Sequence, residues 1–274
     1  MIEKIYIPTL KRFDRQTTWE NLPEFLRERA VLVVQPAEKD LHGDKPVLVL
    51  PENDCGIHNT RKFIWAHAQE KIHIVADDDL QFRDRNFGYG INLTKEDADY
   101  SYTNNKTKVP MTEDNWRFFE ETTCQWFEEG VAFSGMKLAN RSPTMWHNGY
   151  VNNTSVFCLY VFNGKILPKV DELDWSLRLA EDAHLVLQLL RKGYSNKIWD
   201  KFCVQSNQFT KGGCNTYRTI DDVNRSHLEL TMKHPEYVEL SGYPKRVGDI
   251  QKVKVRWNKA YKDYIKKGTG KIIE

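Results

Sequence analysis

Short runs of mostly apolar residues are the feature that most limits how this sequence can fold. Four occur in the first 76 residues, at 4–7, 30–34, 46–50 and 71–76. Short runs rich in Val, Ile and Leu are typical of central strands that are covered on both faces. Segments with helical signals separate the runs. The sequence therefore predicts an α/β fold with a mostly parallel central sheet and helices on both faces.

The helical signals are clearest at three places. Asn59 can cap a helix that runs to about residue 70, and a second amphipathic helix is predicted at 114–129. The strongest signal spans 181–192, where leucines recur at helical spacing and Gly193 marks the end. Further strands are predicted at 131–134 and 154–162.

The composition excludes two broad classes of protein. Of the 274 residues, 40% are hydrophobic and 28% are charged, which is typical of a folded domain and not of a disordered chain. No apolar run approaches the roughly 20 residues of a membrane-spanning helix. The first residues lack the layout of a signal peptide, and the five cysteines form no CxxC pair. We therefore expect a cytoplasmic protein with free thiols and no membrane partner.

The net charge of +2 hides an uneven distribution along the chain. Residues 245–274 contain ten Lys and Arg against three Asp and Glu, whereas the preceding 244 residues contain 30 against 35. No repeat and no low-complexity linker interrupts the sequence. We predict one domain at 1–244, followed by a basic segment at 245–274 that packs on it or extends from it.

Three consecutive aspartates, Asp77, Asp78 and Asp79, follow the apolar run at 71–76. Adjacent carboxylates repel one another, and a divalent cation such as Mg²⁺ or Mn²⁺, which prefers hard oxygen ligands, is a common compensation. In an open α/β sheet, ligands bind beyond the carboxyl ends of the strands, where this triplet lies. A solvated turn is the alternative, and it is our interpretation of the second Asp-x-Asp match, at 97–99.

Two further polar groups have both a functional and a structural interpretation. Gly56 precedes a helical segment that carries Arg61, and the N–H groups, the helix dipole and the guanidinium of such a segment favour a phosphate. Glu181 and Asp182 open the strongest predicted helix, where a carboxylate could act as a general base. The alternatives are an exposed arginine and an acidic pair that only interacts favourably with the helix dipole.

The order of these motifs resembles that of the GT-A glycosyltransferases. The shared pattern is an N-terminal strand that ends in a polar loop, a Gly-x-x-x-Thr-Arg helix start, an apolar strand that runs into Asp-x-Asp, and Glu-Asp at the start of a later helix. The resemblance covers about residues 1–210. It implies a Rossmann-like sheet, a nucleotide sugar (UDP-linked) as donor, and Mn²⁺ or Mg²⁺ as cofactor.

The resemblance also implies roles for individual residues. Asp77 and Asp79 would hold the metal, and Asp182, with Glu181 beside it, would be the base that deprotonates the acceptor. Contacts to the nucleotide sugar would come from Thr9, Arg12, Arg61, Asp77 and Asp78. The C-terminal histidine that the family often adds as a metal ligand has no match here, and His234 is predicted at the surface.

The acceptor is predicted from the basic end of the chain. Eight Lys and Arg residues at 252–271 are interleaved with aromatic and aliphatic residues, a pattern that suits a phosphate backbone. The loop at 146–150 could stack on a sugar or a base. The residues assigned to acceptor or DNA binding are Trp146, His147, Lys254, Arg256 and Lys259. A solvated terminal helix and a packed tryptophan are the alternatives.

A narrower resemblance is to phage-associated DNA glycosyltransferases of the TET/JBP-associated group. It rests on the segment at 61–68, Arg-x-x-x-x-Ala-His-Ala, ahead of the acidic triplet. It implies a hydroxymethylated pyrimidine in DNA, such as 5-hydroxymethylcytosine, as the acceptor, and a base that has to leave the duplex. It also implies action in the host cytoplasm, and no obligate protein partner is inferred.

Other functions stay open on the sequence alone. The enzyme could transfer its sugar to a protein or a saccharide, in which case the basic end is incidental. The chain could also be a non-catalytic nucleic-acid-binding protein whose aspartates form a solvated turn. A metal-dependent nuclease is disfavoured, because its carboxylates would need a second cluster placed for two metals.

Overall fold

The computed structural model describes residues 1–85, 108–140, 149–206, 212–242 and 249–268. The strands in these ranges are β1 (Lys4–Pro8), β2 (Ala30–Val34), β3 (Val47–Val49), β4 (Ile72–Ala76), β5 (Leu80–Asp84), β6 (Val109–Pro110), β7 (Phe133–Leu138), β8 (Tyr150–Asn152), β9 (Leu159–Asn163), β10 (Asn196–Ser206), β11 (Val238–Ser241) and β12 (Lys252–Val255). The α-helices are α1 (Thr17–Asn21), α2 (Glu24–Arg27), α3 (Gly56–His67), α4 (Glu113–Glu128), α5 (Glu181–Arg191), α6 (Ile220–Lys233) and α7 (Trp257–Lys266). Short 3-10 helices lie at Pro36–Leu41, Val170–Glu172 and Gly213–Thr216.

Ten of the described strands form one sheet in the order β3-β2-β1-β4-β9-β7-β10-β5-β6, with β8 paired to β10. Neighbours are parallel from β3 to β4 and between β7 and β10. The strands β5, β8 and β9 run the opposite way. Seven of these ten strands therefore point in one direction, which confirms the predicted α/β class and the mostly parallel central sheet.

Both faces of the sheet are covered by helices. Tyr6 of β1 and Val75 of β4 join a core with α3 and α5, whereas Ile5 and Ile74 of the same strands join a core with α2 and α4. All five residues of β2 and of β4 are buried. Burial on both faces explains why these strands are continuous apolar runs and not alternating patterns.

The C-terminal part of the chain packs along α5. The helix α7 contacts α5 and buries Ala260 and Tyr261, and β12 pairs with β11 in a hairpin. Gly193, just after α5, lies so close to the ring of Tyr264 that a Cβ atom there would be 2.0 Å from it. At the other end of α7, the ring of Trp257 makes an edge contact with Phe157, with 6.5 Å between centroids. The basic residues of α7 are thus anchored to the main body.

The start of α3 differs from the predicted one. The helix begins at Gly56 with Cys55 at the N-cap position, so the prediction that Asn59 caps it is wrong. Gly56 has a left-handed φ of 76°, which glycine adopts without steric strain. Asn59 lies inside the first turn and donates its side-chain amide to the Cys55 carbonyl at 3.0 Å.

Other elements were shorter than predicted or were not predicted. The strand expected at 154–162 begins only at Leu159. The long strand β10 was not predicted, because a bulge between Trp199 and Cys203 interrupts its pairing and charged residues interrupt its apolar pattern. The helix α6 was not predicted either, since its described residues bury only Ser226 and Leu230 and show little apolar periodicity.

None of the helices in the described ranges is long and apolar enough to cross a membrane. The cysteines whose side chains are described, Cys55, Cys124, Cys158 and Cys203, are free. This agrees with the scattered spacing of cysteines in the sequence.

Candidate active site

The acidic triplet lies in the tight connection between β4 and β5, and Thr18 of α1 fixes its backbone. Thr18 donates its N–H to the Asp78 carbonyl at 3.0 Å and its hydroxyl to the Asp77 carbonyl at 2.5 Å. The Leu80 N–H donates to the same hydroxyl at 2.9 Å, and Thr18 is fully buried. The three side chains therefore project in defined directions from the carboxyl end of β4.

The middle aspartate faces the protein interior. Asp78 is 4% exposed, forms an ion pair with Arg12 through Oδ1, and accepts the Thr9 hydroxyl at Oδ2 over 2.7 Å. Gln16 donates to the Thr9 hydroxyl at 3.0 Å and to the Arg12 carbonyl at 2.7 Å. Burial raises the pKa of Asp78 to about 6, while Arg12 opposes the shift. The polar loop after β1 thus anchors the triplet.

Asp79 contacts one residue near the start of the chain, Arg12, and one that lies much later in the sequence, Ser206. The Ser206 hydroxyl, at the end of β10, donates to Asp79 Oδ1 at 3.0 Å, and Arg12 Nη1 lies 3.3 Å from Asp79 Oδ2. Gly212 and Gly213 pass directly over Arg12, and a Cβ atom on Gly212 would lie 2.6 Å from Arg12 Cγ. Both glycines have positive φ, so these positions suit glycine for conformation as well as for space.

Asp77 is the most exposed of the three, with 34% of its side chain exposed. Arg61 Nη2 lies 3.4 Å from Asp77 Oδ1, while Nη1 of the same guanidinium lies 2.8 Å from Glu181 Oε1. The Asp77 backbone N–H donates to the Cys158 carbonyl at 2.8 Å. Burial raises the pKa of Asp77, and Arg61 opposes that shift. Arg61 thereby connects the end of β4 with the start of α5.

Glu181 and Asp182 form the first turn of α5, directly after Ala180, which has a left-handed φ of 56°. Burial raises the pKa of Glu181 to about 7, against the opposing effect of Arg61. Asp182 is half-buried, and its charge adds to the rise in the pKa of Asp77. The acidic pair thus lies within electrostatic reach of the triplet.

The site has more carboxylates than cations. Its two guanidiniums, of Arg12 and Arg61, face the five carboxylates of Asp77, Asp78, Asp79, Glu181 and Asp182.

Mg²⁺ in enzymes is typically bound by one or two carboxylates together with substrate phosphates. Asp77 and Asp79 fit that requirement better than Asp78, because 34% and 12% of their side chains are exposed, against 6% for Asp78. In the part of the chain that the structure describes, no three His, Cys, Asp or Glu side chains are grouped to hold a metal by themselves.

A small cavity lies behind Arg61. Its volume is about 10 Å³, and Arg61, His73 and Tyr160 line it together with apolar side chains. A cavity of this size has room for about one water molecule and excludes a nucleotide. The exposed part of the triplet is the side chain of Asp77, which leaves that side open to a ligand.

Eight of the predicted site residues meet in this arrangement: Thr9, Arg12, Arg61, Asp77, Asp78, Asp79, Glu181 and Asp182. The loop residues Trp146 and His147, and the second Asp-x-Asp at 97–99, lie outside the described residues.

Three site residues were missed by sequence reasoning: Gln16, Thr18 and Ser206. They carry no motif, and Ser206 is 127 residues away from its partner Asp79.

The predicted DNA-binding residues of the basic end lie in a different environment. Lys254 and Arg256 share Glu239 of the neighbouring strand, at 3.2 and 2.8 Å. Lys259 pairs with Asp263 one turn later in α7, at 2.5 Å. These pairs are local and largely exposed, unlike the ion pairs of the acidic site.

His234 is buried, so the prediction that it lies at the surface is wrong. Arg191 Nη1 donates to His234 Nδ1 at 2.9 Å, which places the proton of the neutral ring on Nε2, because a guanidinium only donates. His234 Nε2 then donates to His184 Nδ1 at 2.8 Å, and His184 Nε2 faces Asp174 Oδ2 at 3.3 Å. This polar chain joins α5 to the end of α6 and contains no metal-binding geometry.

The family model described as TET-Associated Glycosyltransferase matches residues 3–213, which include every residue of the acidic site. A crystal structure of residues 1–349 of TarS from S. aureus is similar at 10% identity and a TM-score of 0.45, over 84% of this chain. The chain spans 66% of that TarS chain, just under two thirds of its length. The comparison with curated proteins found no match.

Proposed function

Because the chain belongs to the TET-associated glycosyltransferase family, we propose that it moves a sugar from a nucleotide sugar to a hydroxymethylated pyrimidine base in DNA. Membership of the family makes the chain a glycosyltransferase, and the donor, metal, acceptor and residue roles are the parts proposed. The observation that carries the proposal is that the acidic triplet and the pair Glu181 and Asp182, about 100 residues apart in the sequence, are joined by Arg61.

The donor is assigned to the exposed side of the triplet. A nucleotide sugar carries a negatively charged diphosphate, so a site rich in carboxylates needs a divalent cation between the two. Asp77 and Asp79 would hold Mn²⁺ or Mg²⁺, which when bound neutralises the charge that develops on the departing diphosphate. Thr9, Arg12 and Asp78 lie on the donor side of this position, and Arg61 lies beside Asp77.

Asp182 is assigned as the general base. Glu181 is already in an ion pair with Arg61, whereas Asp182 is half-buried in the same helical turn. In an inverting transfer the acceptor hydroxyl oxygen attacks the anomeric carbon and its proton passes to the Asp182 carboxylate. The bond between the anomeric carbon and the diphosphate oxygen breaks, and the diphosphate keeps the electron pair.

DNA as acceptor is supported by the TET association in the family's description and by the position of the basic end. Trp257, the first residue of α7, contacts Phe157, and Cys158, the residue after Phe157, accepts the Asp77 backbone N–H at 2.8 Å. The segment that precedes Trp257 therefore ends near the site. It exposes three basic side chains at alternate positions: Lys252, Lys254 and Arg256.

Mass spectrometry of DNA tests this function directly. A duplex with 5-hydroxymethylcytosine is incubated with the protein, Mn²⁺ and a panel of UDP-sugars, beside an unmodified duplex and the Asp79→Ala variant. We expect the mass of one hexose or pentose to be added to the modified base alone, and to be lost with Asp79→Ala. Sugar transfer to proteins or saccharides, with the DNA unchanged for every donor, would contradict the DNA acceptor.

A protein or saccharide acceptor is the second candidate, and one observation favours it. Lys254 and Arg256 share a glutamate and Lys259 has its own aspartate, which reduces the charge that these residues offer to a phosphate backbone. On this hypothesis, replacing Lys254 and Arg256 by Gln leaves the transfer rate unchanged. On the DNA hypothesis, the same variant raises the KM for DNA.

A further inference from the structure

The guanidinium of Arg61 is buried and contacts three other side chains. Its Nη2 faces Asp77 and its Nη1 faces Glu181, at 3.4 and 2.8 Å. The ring of Tyr160 lies 5.2 Å from the Arg61 Cζ atom, at cation–π distance. Nε and Nη1 are buried and neither donates a hydrogen bond to the described residues, so the contact of Nη1 with Glu181 is an ion pair by distance; the whole residue is 8% exposed.

We propose that Arg61 is a positioning residue that holds Asp77 and Glu181 at a fixed separation, and that it does not contact the nucleotide sugar. The proposal rests on the proposed function, because it concerns the spacing between the donor carboxylates and the base. It differs from the donor contact that the family resemblance implies for this arginine.

The two carboxylates come from parts of the chain that have no other described ion pair between them. Asp77 ends β4, and Glu181 starts α5 on one face of the sheet. Asp182 follows Glu181 in the same helical turn, so whatever fixes Glu181 also fixes Asp182. Arg61 itself is held by α3, whose Ile64 and Trp65 are part of the same core as α5. Core packing sets how β4 and α5 lie against each other, and Arg61 is the described side chain that forms ion pairs at the ends of both elements.

Arginine suits this role better than lysine. Its planar guanidinium places one nitrogen near each of two carboxylates, and its charge lies at cation–π distance from Tyr160. A lysine would supply the charge from a single atom and could not keep both distances. The guanidinium also opposes the protonation of Glu181, since it lowers a pKa that burial raises.

Arg61→Lys is the test variant, and Lys62→Met is the matched control, since Lys62 is the adjacent residue of α3 and is exposed. Donor affinity is measured by calorimetry with UDP and Mn²⁺, and kcat at saturating donor and acceptor. We expect Arg61→Lys to lower kcat by about 10- to 100-fold, as is typical when a residue that orients a catalytic group is changed. The Kd for UDP stays within about twofold of the wild-type value, and Lys62→Met changes neither quantity.

Two results would overturn the proposal. A Kd for UDP weakened about tenfold or more with kcat unchanged would make Arg61 a donor contact. Wild-type values of both quantities in Arg61→Lys would show that the fork is not needed. Arg61→Met is measured in parallel where it folds, as judged by near-ultraviolet circular dichroism.

A separate readout keeps this proposal apart from the proposed function. If the wild-type protein transfers no sugar to any acceptor, the proposed function fails, and the ¹³C resonance of the Glu181 carboxyl still reports on Arg61. Glu181 faces Arg61, Asp182 and Asp77, so loss of the fork raises its titration midpoint. We expect an upward shift in Arg61→Lys and none in Lys62→Met; an unchanged Glu181 midpoint in Arg61→Lys contradicts the positioning role.

Discussion

The acidic site and the basic C-terminal region hold their charged side chains in opposite ways. In the site, Arg12 and Arg61 are 6% and 8% exposed. Arg12 pairs with two aspartates of the β4–β5 connection, and Arg61 pairs with the end of β4 and the start of α5. In the C-terminal region, the side chains of Lys254 and Arg256 are 66% and 47% exposed and share one glutamate on the adjacent strand.

The difference follows from solvation. A charge that is removed from water needs a charged or hydrogen-bonding partner, so loss of either partner leaves the other one buried and uncompensated. Exposed charges keep their hydration, and their pairing contributes little to stability. The buried charged side chains of the acidic site therefore hold one another in fixed positions. The exposed charged side chains of the C-terminal region can be replaced with little loss of stability. The family match ends at residue 213, between the two regions.

The largest effect is expected at the proposed base. Asp182→Asn keeps the size of the side chain but removes its ability to take a proton, so kcat should fall by about 10²- to 10⁴-fold. Asp221→Asn is the matched control, because Asp221 is also the second residue of a helix, in the C-terminal region, and is exposed. Transfer rates are measured with both variants. A kcat within about threefold of wild type for Asp182→Asn would remove this residue from the mechanism.

A similar contrast is expected in stability. Arg12→Met leaves Asp78 and Asp79 without their guanidinium in a buried environment, which should lower the free energy of unfolding by about 3–5 kcal/mol. Arg256→Met, which breaks an exposed pair, should lower it by about 0.2–1 kcal/mol. Urea unfolding of both variants measures the difference. Equal losses in the two variants would contradict the contrast between the regions.

The polar chain between the two regions predicts a pH effect. Burial lowers the pKa of His234 to about 3 and also lowers that of His184, whereas both rings titrate near 6.5 when unfolded. The unfolded chain therefore binds more protons, and the free energy of unfolding falls as the pH drops from about 6.5 towards 3. The slope is at most about 1.4 kcal/mol per pH unit for each histidine.

His234→Asn isolates this contribution, because the amide can still accept from Arg191 and donate to His184 without titrating. The carboxyls of Asp78 and Glu181 have raised pKa values and contribute with the opposite sign, so the difference between the two proteins is the relevant quantity. We expect wild type to lose more stability than His234→Asn between pH 6.5 and 4. Parallel stability curves would show that His234 ionises in the folded protein.

The smallest effect on the fold is expected from the exposed strand β12. Lys254→Gln should change the free energy of unfolding by less than about 1 kcal/mol. If Lys254 contacts a phosphate, the slope of log K for DNA against log salt should fall by about 0.9. Fluorescence anisotropy over a salt series measures the slope. Lys165→Gln is the control, since Lys165 is exposed and lies away from the triplet. Its neighbour Gly164 donates its N–H to the Lys71 carbonyl just before β4, whereas the triplet follows the other end of that strand.

Much of the fold was predictable because local patterns encode it. The buried strands β1, β2 and β4 coincide with apolar runs, and α4 and α5 with helical patterns, within one residue at each end. The strand β10 was not predictable in the same way, because its bulge and its charged residues only make sense beside β5, β7 and β8. The burial of His234 likewise depends on Arg191 and His184, which lie in another helix.

The sequence by itself determined the class of fold, the acidic triplet at the end of a buried strand, and the acidic pair at the start of a helix, since each is a pattern within a few adjacent residues. Only the tertiary structure decided that Arg12 and Arg61 form ion pairs with the triplet from two sides, that Ser206 bonds to Asp79, and that Lys254 and Arg256 stay exposed. These contacts join residues that are distant in sequence. The order of the strands brings them together, and the desolvation of buried charge then makes such pairing necessary.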